Sequence, residues 1–499
     1  MTIVYVLVLL GLALIGTPLF VLVGAATALA FRWFTDDHLT ASSLMPMVQN
    51  MEEMLTKQEF LAIPMFMASG AIMTAGGIAG RLVDFAKALL GWLPGGLAVA
   101  AVFACMFFAA ISGSSPVTLI AVGSILYPAL MASNYDEKFS IGLLTTSGSL
   151  GCLVPPSISM LIYAVTITST SAHVDPQDLF LAGLLPAALI GGALAVYAVV
   201  VGGRGLGARQ PFSWAQLVQA AQDGIWALLL PLLVLGGIYG GLYTPSEAGA
   251  VAAIYALFVT VVVERKLTLR KLLATLVESA TLMGSLILII VLAFGLNELL
   301  AEIDVQGMLA RLIRDSNLGP LGFMILVNVL LVVIGALMDS ISCTLIFAPM
   351  LAPVAWDVYH IDPLHFGVVF VINMEIGYLM PPVATNLFVA AAVFKKPFGL
   401  VTRAVLPTLA MTLVALWIFI RYPTLSVAAV RWHHGQTPIT LDFPESKVAA
   451  AVALAVAASG TAAPVAPAKA ENLAAVTERM FADDATPVQV PDVATETNL

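Results

Sequence analysis

Between residues 1 and 31 the chain carries no charged side chain, and uncharged apolar runs of similar length recur through most of its first 420 residues. About twenty consecutive apolar residues are what a helix needs to cross a bilayer. Inside hydrocarbon every backbone N–H and C=O must be satisfied within the segment, so a chain of this kind has helices as its building blocks. Only 10% of the 499 residues are charged, against about 25% in an ordinary soluble domain. Mean hydropathy is +0.99, and the fold class expected is an all-α polytopic membrane protein. The first run is too long for a cleaved leader and lacks a basic start, so it reads as the first transmembrane helix. A net charge of −9, with no Lys/Arg run long enough to suggest it, argues against nucleic-acid binding. Cys105, Cys152 and Cys343 sit in apolar segments without metal-ligand spacing and read as buried thiols.

Against that background, the polar stretch Ile111-Ser-Gly-Ser-Ser-Pro-Val-Thr118 stands out inside an apolar run. Gly113 and Pro116 break a helix there, which is tolerated in a membrane only where protein or a water-filled cavity surrounds the freed backbone. Adding 226 to these positions places Ser114 on Ser340 and Thr118-Leu-Ile120 on Thr344-Leu-Ile346. The same offset places Gly151 on Gly377 and Pro155-Pro156 on Pro381-Pro382. A constant offset over some fifty residues that includes two rare Pro-Pro pairs marks an internal repeat. Each unit has a broken apolar hairpin (111–118 and 338–344) followed by a Pro-Pro-interrupted span. Paired interrupted helices in two halves point to a transporter binding site. The relative orientation of the units stays open at this level.

The domains expected are an N-terminal helix and interfacial connector (1–60), a first repeat (61–203), central helices (204–272), a second repeat (273–425) and a disordered cytoplasmic tail (426–499). Arg204 and Arg209 lie in one loop and the basic run after Glu264 in another, two helices apart, so both belong to one side, the cytoplasm by the positive-inside rule. Arg421, Arg431, His433 and His434 are read the same way. Arg81 and Asp84, three apart, are expected to pair, and Glu247 in Thr-Pro-Ser-Glu to cap a helix.

The hydroxyls of Ser112, Ser114, Ser115 and Thr118, with backbone carbonyls around Gly113, form a hard-oxygen set of the kind that suits Na⁺. The second break supplies Asp339, Ser340, Ser342 and Thr344. Gly151 and Gly377 complete the Na⁺-site candidates. Pro155, Pro156 and Ser157, and Pro381 and Pro382, end one half-helix and start another, whose free N–H groups suit a carboxylate. Thr385 and Asn386 follow on the same side, so these seven are the substrate-site candidates. Glu375 has two readings, a coupling acid or an interhelical hydrogen-bonding residue. For all the hydroxyls the alternative is ordinary packing, with small residues and Ser/Thr serving as glue between helices. No Walker-type phosphate loop or hydrolase signature is present, so the chain reads as neither ATPase nor enzyme and needs no cofactor.

Taken together, Ile63-Pro-Met-Phe66, Arg81-Leu-Val-Asp-Phe85, Phe108-Ala-Ala-Ile-Ser-Gly-Ser-Ser115, Leu153-Val-Pro-Pro-Ser-Ile158, Tyr243-Thr-Pro-Ser-Glu-Ala248, Asp362-Pro-Leu-His-Phe-Gly367 and Glu375-Ile-Gly-Tyr-Leu-Met-Pro-Pro382 carry a specific likeness. Over about residues 1–425 the chain resembles the large membrane subunit of tripartite ATP-independent periplasmic (TRAP) transporters. The resemblance implies an inner-membrane permease with re-entrant hairpins, an elevator motion, and Na⁺-driven uptake of small carboxylates such as C4-dicarboxylates. It also implies two partners, a small four-helix membrane subunit and an extracytoplasmic substrate-binding protein. A stand-alone Na⁺/anion symporter and a non-transporting membrane scaffold are the alternatives. The family's Thr-Pro-Pro-Val-Gly is Met380-Pro-Pro-Val-Ala384 here, so a hydroxyl is missing from the second Na⁺ site, with Thr385 the candidate to replace it.

Overall fold

The computed structural model describes residues 57–435 except 169, 204–210, 303–306, 312–317 and 383, together with positions 21, 24, 25, 27 and 49. Side chains at 294 and 296–302 are not described. The expectations for the first helix, for its connector up to residue 56 and for the tail beyond 435 lie outside these residues. The tail expected to be disordered from 426 is instead helical as far as His433, held by buried Ser426, Val427 and Val430.

The described residues are helical throughout, without a strand. In chain order the helices are α1 (Gln58–Ala75), α2 (Ile78–Leu90), α3 (Gly96–Ser112), α4 (Ser115–Ala132), α5 (Glu137–Ser149), α6 (Ile158–Thr166), α7 (Pro176–Gly202), α8 (Trp214–Asp223) and α9 (Ile225–Tyr239). There follow α10 (Pro245–Val263), α11 (Leu269–Glu302), α12 (Pro320–Leu337), α13 (Ser340–Tyr359), α14 (Pro363–Gly377), α15 (Thr385–Phe394), α16 (Phe398–Arg421) and α17 (Thr424–His433). Seven are long and apolar enough to cross a membrane, or up to nine counting two bent pairs, among the described residues.

Polar residues at the starts explain where many of these helices begin. Thr244 and Glu247 form a reciprocal capping box on α10 with Pro245 in its first turn, as expected for Glu247. Asp136, Ser157, Asp175, Asp339 and Asp362 accept backbone N–H groups at the starts of α5, α6, α7, α13 and α14. Each such cap contributes about 1 kcal/mol. In hydrocarbon the return is larger, because an uncapped N–H has no water to turn to.

The path of the chain follows from which ends touch. The continuous helix α7 has two ends, at Pro176 and at Gly202. A Cβ on Gly95, just before α3, would stand 2.5 Å from the Ala198 carbonyl and 3.1 Å from the Gly203 nitrogen, so α3 starts at the Gly202 end of α7, and Tyr135 follows α4. Tyr135 stacks on Phe139, whose ring lies 5.5 Å from that of Tyr197 near the Gly202 end of α7. So α3 and α4 form a hairpin that enters and leaves at the Gly202 end. In the second hairpin Tyr359 at the end of α13 donates to the Leu318 carbonyl before α12, 2.9 Å away, and its ring stacks on Phe323 at 4.7 Å. Asp362 follows and pairs with Arg431 at 3.8 Å, on the helix α17 whose flanking His434 bonds Asp178 near the Pro176 end of α7. The second hairpin therefore opens at the opposite end from the first.

This path corrects two expectations. His434 beside Asp178 and the loop after Gly203 lie at opposite ends of α7, so they cannot share a side. Lys396 pairs with Glu137 near Phe139 and Tyr197 at the Gly202 end. Tyr239 against His433 puts the end of α9 at the other end, so α10 returns Arg265 and Lys266 to the Gly202 end. These cations keep that end cytoplasmic and place His433 and His434 outside. Arg81 does not pair with Asp84. It bonds Glu264 at 2.6 Å and the Asp223 carbonyl at 2.6 Å, while Asp84 pairs with Lys87 at 3.6 Å. Buried Glu264 is a better partner than an exposed neighbour three residues away, and the contact ties α2, α8 and α10 together at the cytoplasmic end.

Candidate transport site

Both polar stretches break helices where expected. The first hairpin turns at Gly113 and Ser114, between α3 and α4, and the second at Met338 and Asp339, between α12 and α13. Gly113 has φ +58°, in the left-handed region that glycine enters without penalty.

At the first tip the hydroxyls converge. Ser112 Oγ and Thr118 Oγ1 lie 2.8 Å apart, and both reach the Ser114 carbonyl, at 3.2 and 2.8 Å. Ser115, Ser112 and Thr118 are buried. Gly151 belongs to the same cluster. A Cβ there would stand 2.8 Å from the Ser114 carbonyl carbon and the Ser115 nitrogen, so only glycine lets the tip come this close. Asn386, from α15, donates its Nδ2 to Ser115 Oγ at 2.5 Å, and its Oδ1 is buried without a partner. One small volume thus brings together Ser112, Ser114, Ser115, Thr118, Gly151 and Asn386, drawn from both halves of the chain.

The second tip is built differently. Asp339 caps α13, accepting from Ser342 N at 3.0 Å and Ser342 Oγ at 2.6 Å. Ser340 Oγ and the Tyr378 hydroxyl lie 2.6 Å apart, and Thr344 bonds back to the Ser340 carbonyl at 2.7 Å. Gly377 packs backbone to backbone against Gly335, where an added Cβ would stand 2.7 Å away.

The two Pro-Pro breaks also differ. Pro155, Pro156 and Ser157 are buried, and the N–H of Ile158 that opens α6 donates to the Gly113 carbonyl at 3.3 Å. The tip of the first hairpin therefore takes a donor that a substrate carboxylate would use. Pro381 and Pro382 are exposed, Thr385 is half-buried, and α15 starts without a side-chain cap. Ala384, standing where the resembled family has glycine, adopts φ +39°. Both Pro-Pro bonds are cis.

Sequence reasoning missed the contact that joins the halves. Ser149 Oγ lies 3.0 Å from Glu375 Oε1, and 375 is 149 plus the 226 offset. Two matching positions that touch sit on the axis relating their units. With hairpins opening at opposite ends, that axis lies in the membrane plane. The offset was the signal that could have paired them. Glu375 is fully buried and here bonds between helices, its second of the two readings. Asn373 extends this buried polar seam to Asn328 on α12.

The comparisons with known proteins agree with this architecture. The family described as Tripartite ATP-independent periplasmic transporter, DctM component, matches residues 5–425. The C4-dicarboxylate TRAP transporter large permease protein DctM of Pseudomonas aeruginosa is 43% identical over 373 residues, 74% of this chain and 86% of that protein. The ectoine TRAP transporter large permease protein TeaC of Halomonas elongata is 29% identical over 428 residues, 86% of this chain and 98% of that protein. Among solved structures, the YdaH transporter of Alcanivorax borkumensis superposes with a TM-score of 0.56 at 14% identity, covering 85% of this chain and 98% of that one. That likeness concerns the fold alone. On these grounds the chain belongs to the DctM family: it is the large permease subunit of a TRAP transporter, an integral inner-membrane protein and not an enzyme.

Proposed function

We propose that this subunit carries small carboxylates, C4-dicarboxylates first among them, into the cell together with Na⁺. The observation that supports it most is the cluster at the first tip, where hydroxyl and carbonyl oxygens of the first half meet away from water beside the Asn386 amide of the second. Such a set is hard, neutral and close-packed, which suits a desolvated Na⁺. Ser112, Ser114, Ser115 and Thr118 would hold the ion, with Gly151 allowing the approach. Asp339, Ser340, Thr344, Gly377 and Thr385 are the candidates for a second ion at the other tip.

The substrate carboxylate is assigned to the start of α15, where Thr385 and Asn386 stand beside exposed Pro381 and Pro382 and no side chain caps the helix. Pro155, Pro156 and Ser157 become walls of the site, because Gly113 already fills the start of α6. Asn386, bonded to Ser115, couples this carboxylate site to the ion cluster. The two hairpins and the interrupted helices would move together against the remaining helices, an elevator motion. An extracytoplasmic binding protein would deliver the substrate, and a small four-helix membrane subunit would complete the complex. The C4-dicarboxylate assignment leans on relatives so named at 36–43% identity. Relatives named for ectoine, isethionate and 2,3-diketo-L-gulonate keep the substrate class broader than one compound.

The test is uptake into proteoliposomes holding the subunit with its small partner and binding protein. Accumulation of a labelled dicarboxylate is expected only with an inward Na⁺ gradient. Equal uptake driven by a proton gradient alone would overturn the coupling, and uptake without binding protein would favour the stand-alone symporter.

A further inference from the structure

We propose that a groove between α7 and α16 on the lipid-facing surface holds an acyl chain of an anionic phospholipid, with the phosphate bound by Arg421. The groove encloses about 550 Å³ and is lined by apolar side chains, among them Leu189 and Ala193 of α7, Met411, Val414 and Ile418 of α16, and Leu425 of α17. Met411, Val414, Ile418 and Arg421 follow one another at helical spacings of three and four, so they form a single stripe along α16. The stripe starts as groove wall and ends in a cation three residues beyond Ile418, between the lining residues Phe419 and Leu425. Arg421 is exposed, and its guanidinium carbon lies 5.6 Å from the centre of the Tyr422 ring. No carboxylate pairs with it among the described residues, whereas nearby Arg431 pairs with Asp362 and His434 with Asp178. Trp417 and Trp432 are 60% and 77% exposed close by, as expected for side chains at the level of lipid headgroups.

Size and charge together select the occupant. A spanning helix of a partner, about 10 Å across and 30 Å long, is far bulkier than this cleft. A single hydrocarbon tail is slender enough to enter it, and an anionic headgroup answers the unpaired arginine. By the chain path above, Arg421 lies at the extracytoplasmic end, so the lipid belongs to the outer leaflet of the inner membrane.

The experiment uses the full chain in lipid nanodiscs containing phosphatidylglycerol and phosphatidylcholine, with retained lipids counted by native mass spectrometry. Wild type should retain phosphatidylglycerol in preference to phosphatidylcholine. Arg421→Gln should lower that preference about fivefold, the effect of one arginine near an anionic surface. Arg270→Gln, at the other end of the protein, should leave it unchanged. Ala410→Phe, which fills the groove, should lower retention of both lipids, and if that variant fails to fold, Arg421→Gln alone decides. A phosphatidylglycerol with a photoreactive tail should label the α16 peptide containing Met411 and Val414. Equal preference in wild type and Arg421→Gln, label confined to other helices, or loss of the label once the small membrane subunit is bound would each overturn the proposal.

Discussion

Gly151 packs tightly against the first hairpin tip, and Gly151→Ala tests that approach directly. The new Cβ would stand 2.8 Å from the Ser114 carbon and the Ser115 nitrogen and 2.9 Å from the Ser114 oxygen. Ordinary contact begins near 3.4 Å, so something must retreat by roughly 0.6 Å. The opposing atoms are backbone and cannot rotate away as a side chain would. The Ser114 carbonyl accepts from both Ser112 and Thr118, so its displacement disturbs the whole oxygen set at once. Overpacking of this kind costs about 1–3 kcal/mol. If that cost falls on the ion-bound arrangement, half-saturating Na⁺ for uptake rises roughly fivefold to 150-fold. The assay is a Na⁺ titration of dicarboxylate uptake by the reconstituted complex, with folded protein matched by size-exclusion chromatography. Gly192→Ala is the control, since a Cβ there meets nothing within 4 Å. A folded Gly151→Ala variant with wild-type Na⁺ dependence would refute the placement of the ion at this tip.

Three further outcomes are expected. Ala384→Gly removes a left-handed alanine at φ +39° and should raise unfolding stability by about 1 kcal/mol; an unchanged or lower melting temperature would refute strain at that position. Lys396, followed by Tyr127, hydrogen-bonds Glu137 and holds its carboxyl below its ordinary value of 4.5. A depressed carboxyl contributes stability fully above its unfolded value and loses it as pH falls through the folded one. The melting-temperature gap between wild type and Glu137→Gln should therefore be small, present at pH 7, and shrink below about pH 4.5; a gap that widens in acid would contradict the pairing. Finally, a cysteine at Gly435 should react with a membrane-impermeant maleimide in intact cells, while one at Arg270 should react only after lysis, and the reverse pattern would invert the chain path.

Features that depend on local spacing were legible in the sequence. The two breaks, the capping role of Glu247 and the repeat offset all rest on residue types at fixed intervals, and the structure places breaks and cap where spacing put them. What failed depended on distant partners. Arg81 and Asp84 satisfy the spacing of a helical pair, yet Glu264, some 180 residues away, offers a buried carboxylate that local reasoning cannot see. The sidedness of the C-terminal end failed for a related reason. Two arginines and two histidines were weighed by themselves, whereas the contact of His434 with Asp178 ties them to the far end of a helix whose other end carries the basic loops. The interrupted helices are a third case. Sequence treats Pro155-Pro156 and Pro381-Pro382 alike, and only the fold shows that the first half-helix start is buried against Gly113 while the second, its Asn386 N–H bonded to the Tyr378 carbonyl, lies beside exposed Pro381 and Pro382.

That last asymmetry bears on how a two-fold repeat makes a transport site. Symmetry alone would give two equivalent tips and two equivalent half-helix starts. Here the first tip closes upon itself through its own hydroxyls and the start of α6, and it reaches the second half through Ser115 and Asn386. The second tip spends its carboxylate on capping α13 and leaves its paired interrupted helix exposed. A buried, self-bonded oxygen cluster suits an ion that must shed its water, and a helix start beside exposed prolines suits an anion that must enter and leave. The residue linking them, Asn386, has one end on the ion cluster and an unpartnered oxygen at the other. Under the proposed function coupling would have a physical route: ordering the first tip around Na⁺ would fix Ser115, Ser115 would fix Asn386, and Asn386 would set the mouth of the carboxylate site. Asn386→Leu keeps the volume and removes both the bond to Ser115 and the unpartnered oxygen. It should therefore weaken the dependence of substrate affinity on Na⁺ more than it weakens either affinity alone, a pattern that simple loss of a substrate contact would not produce.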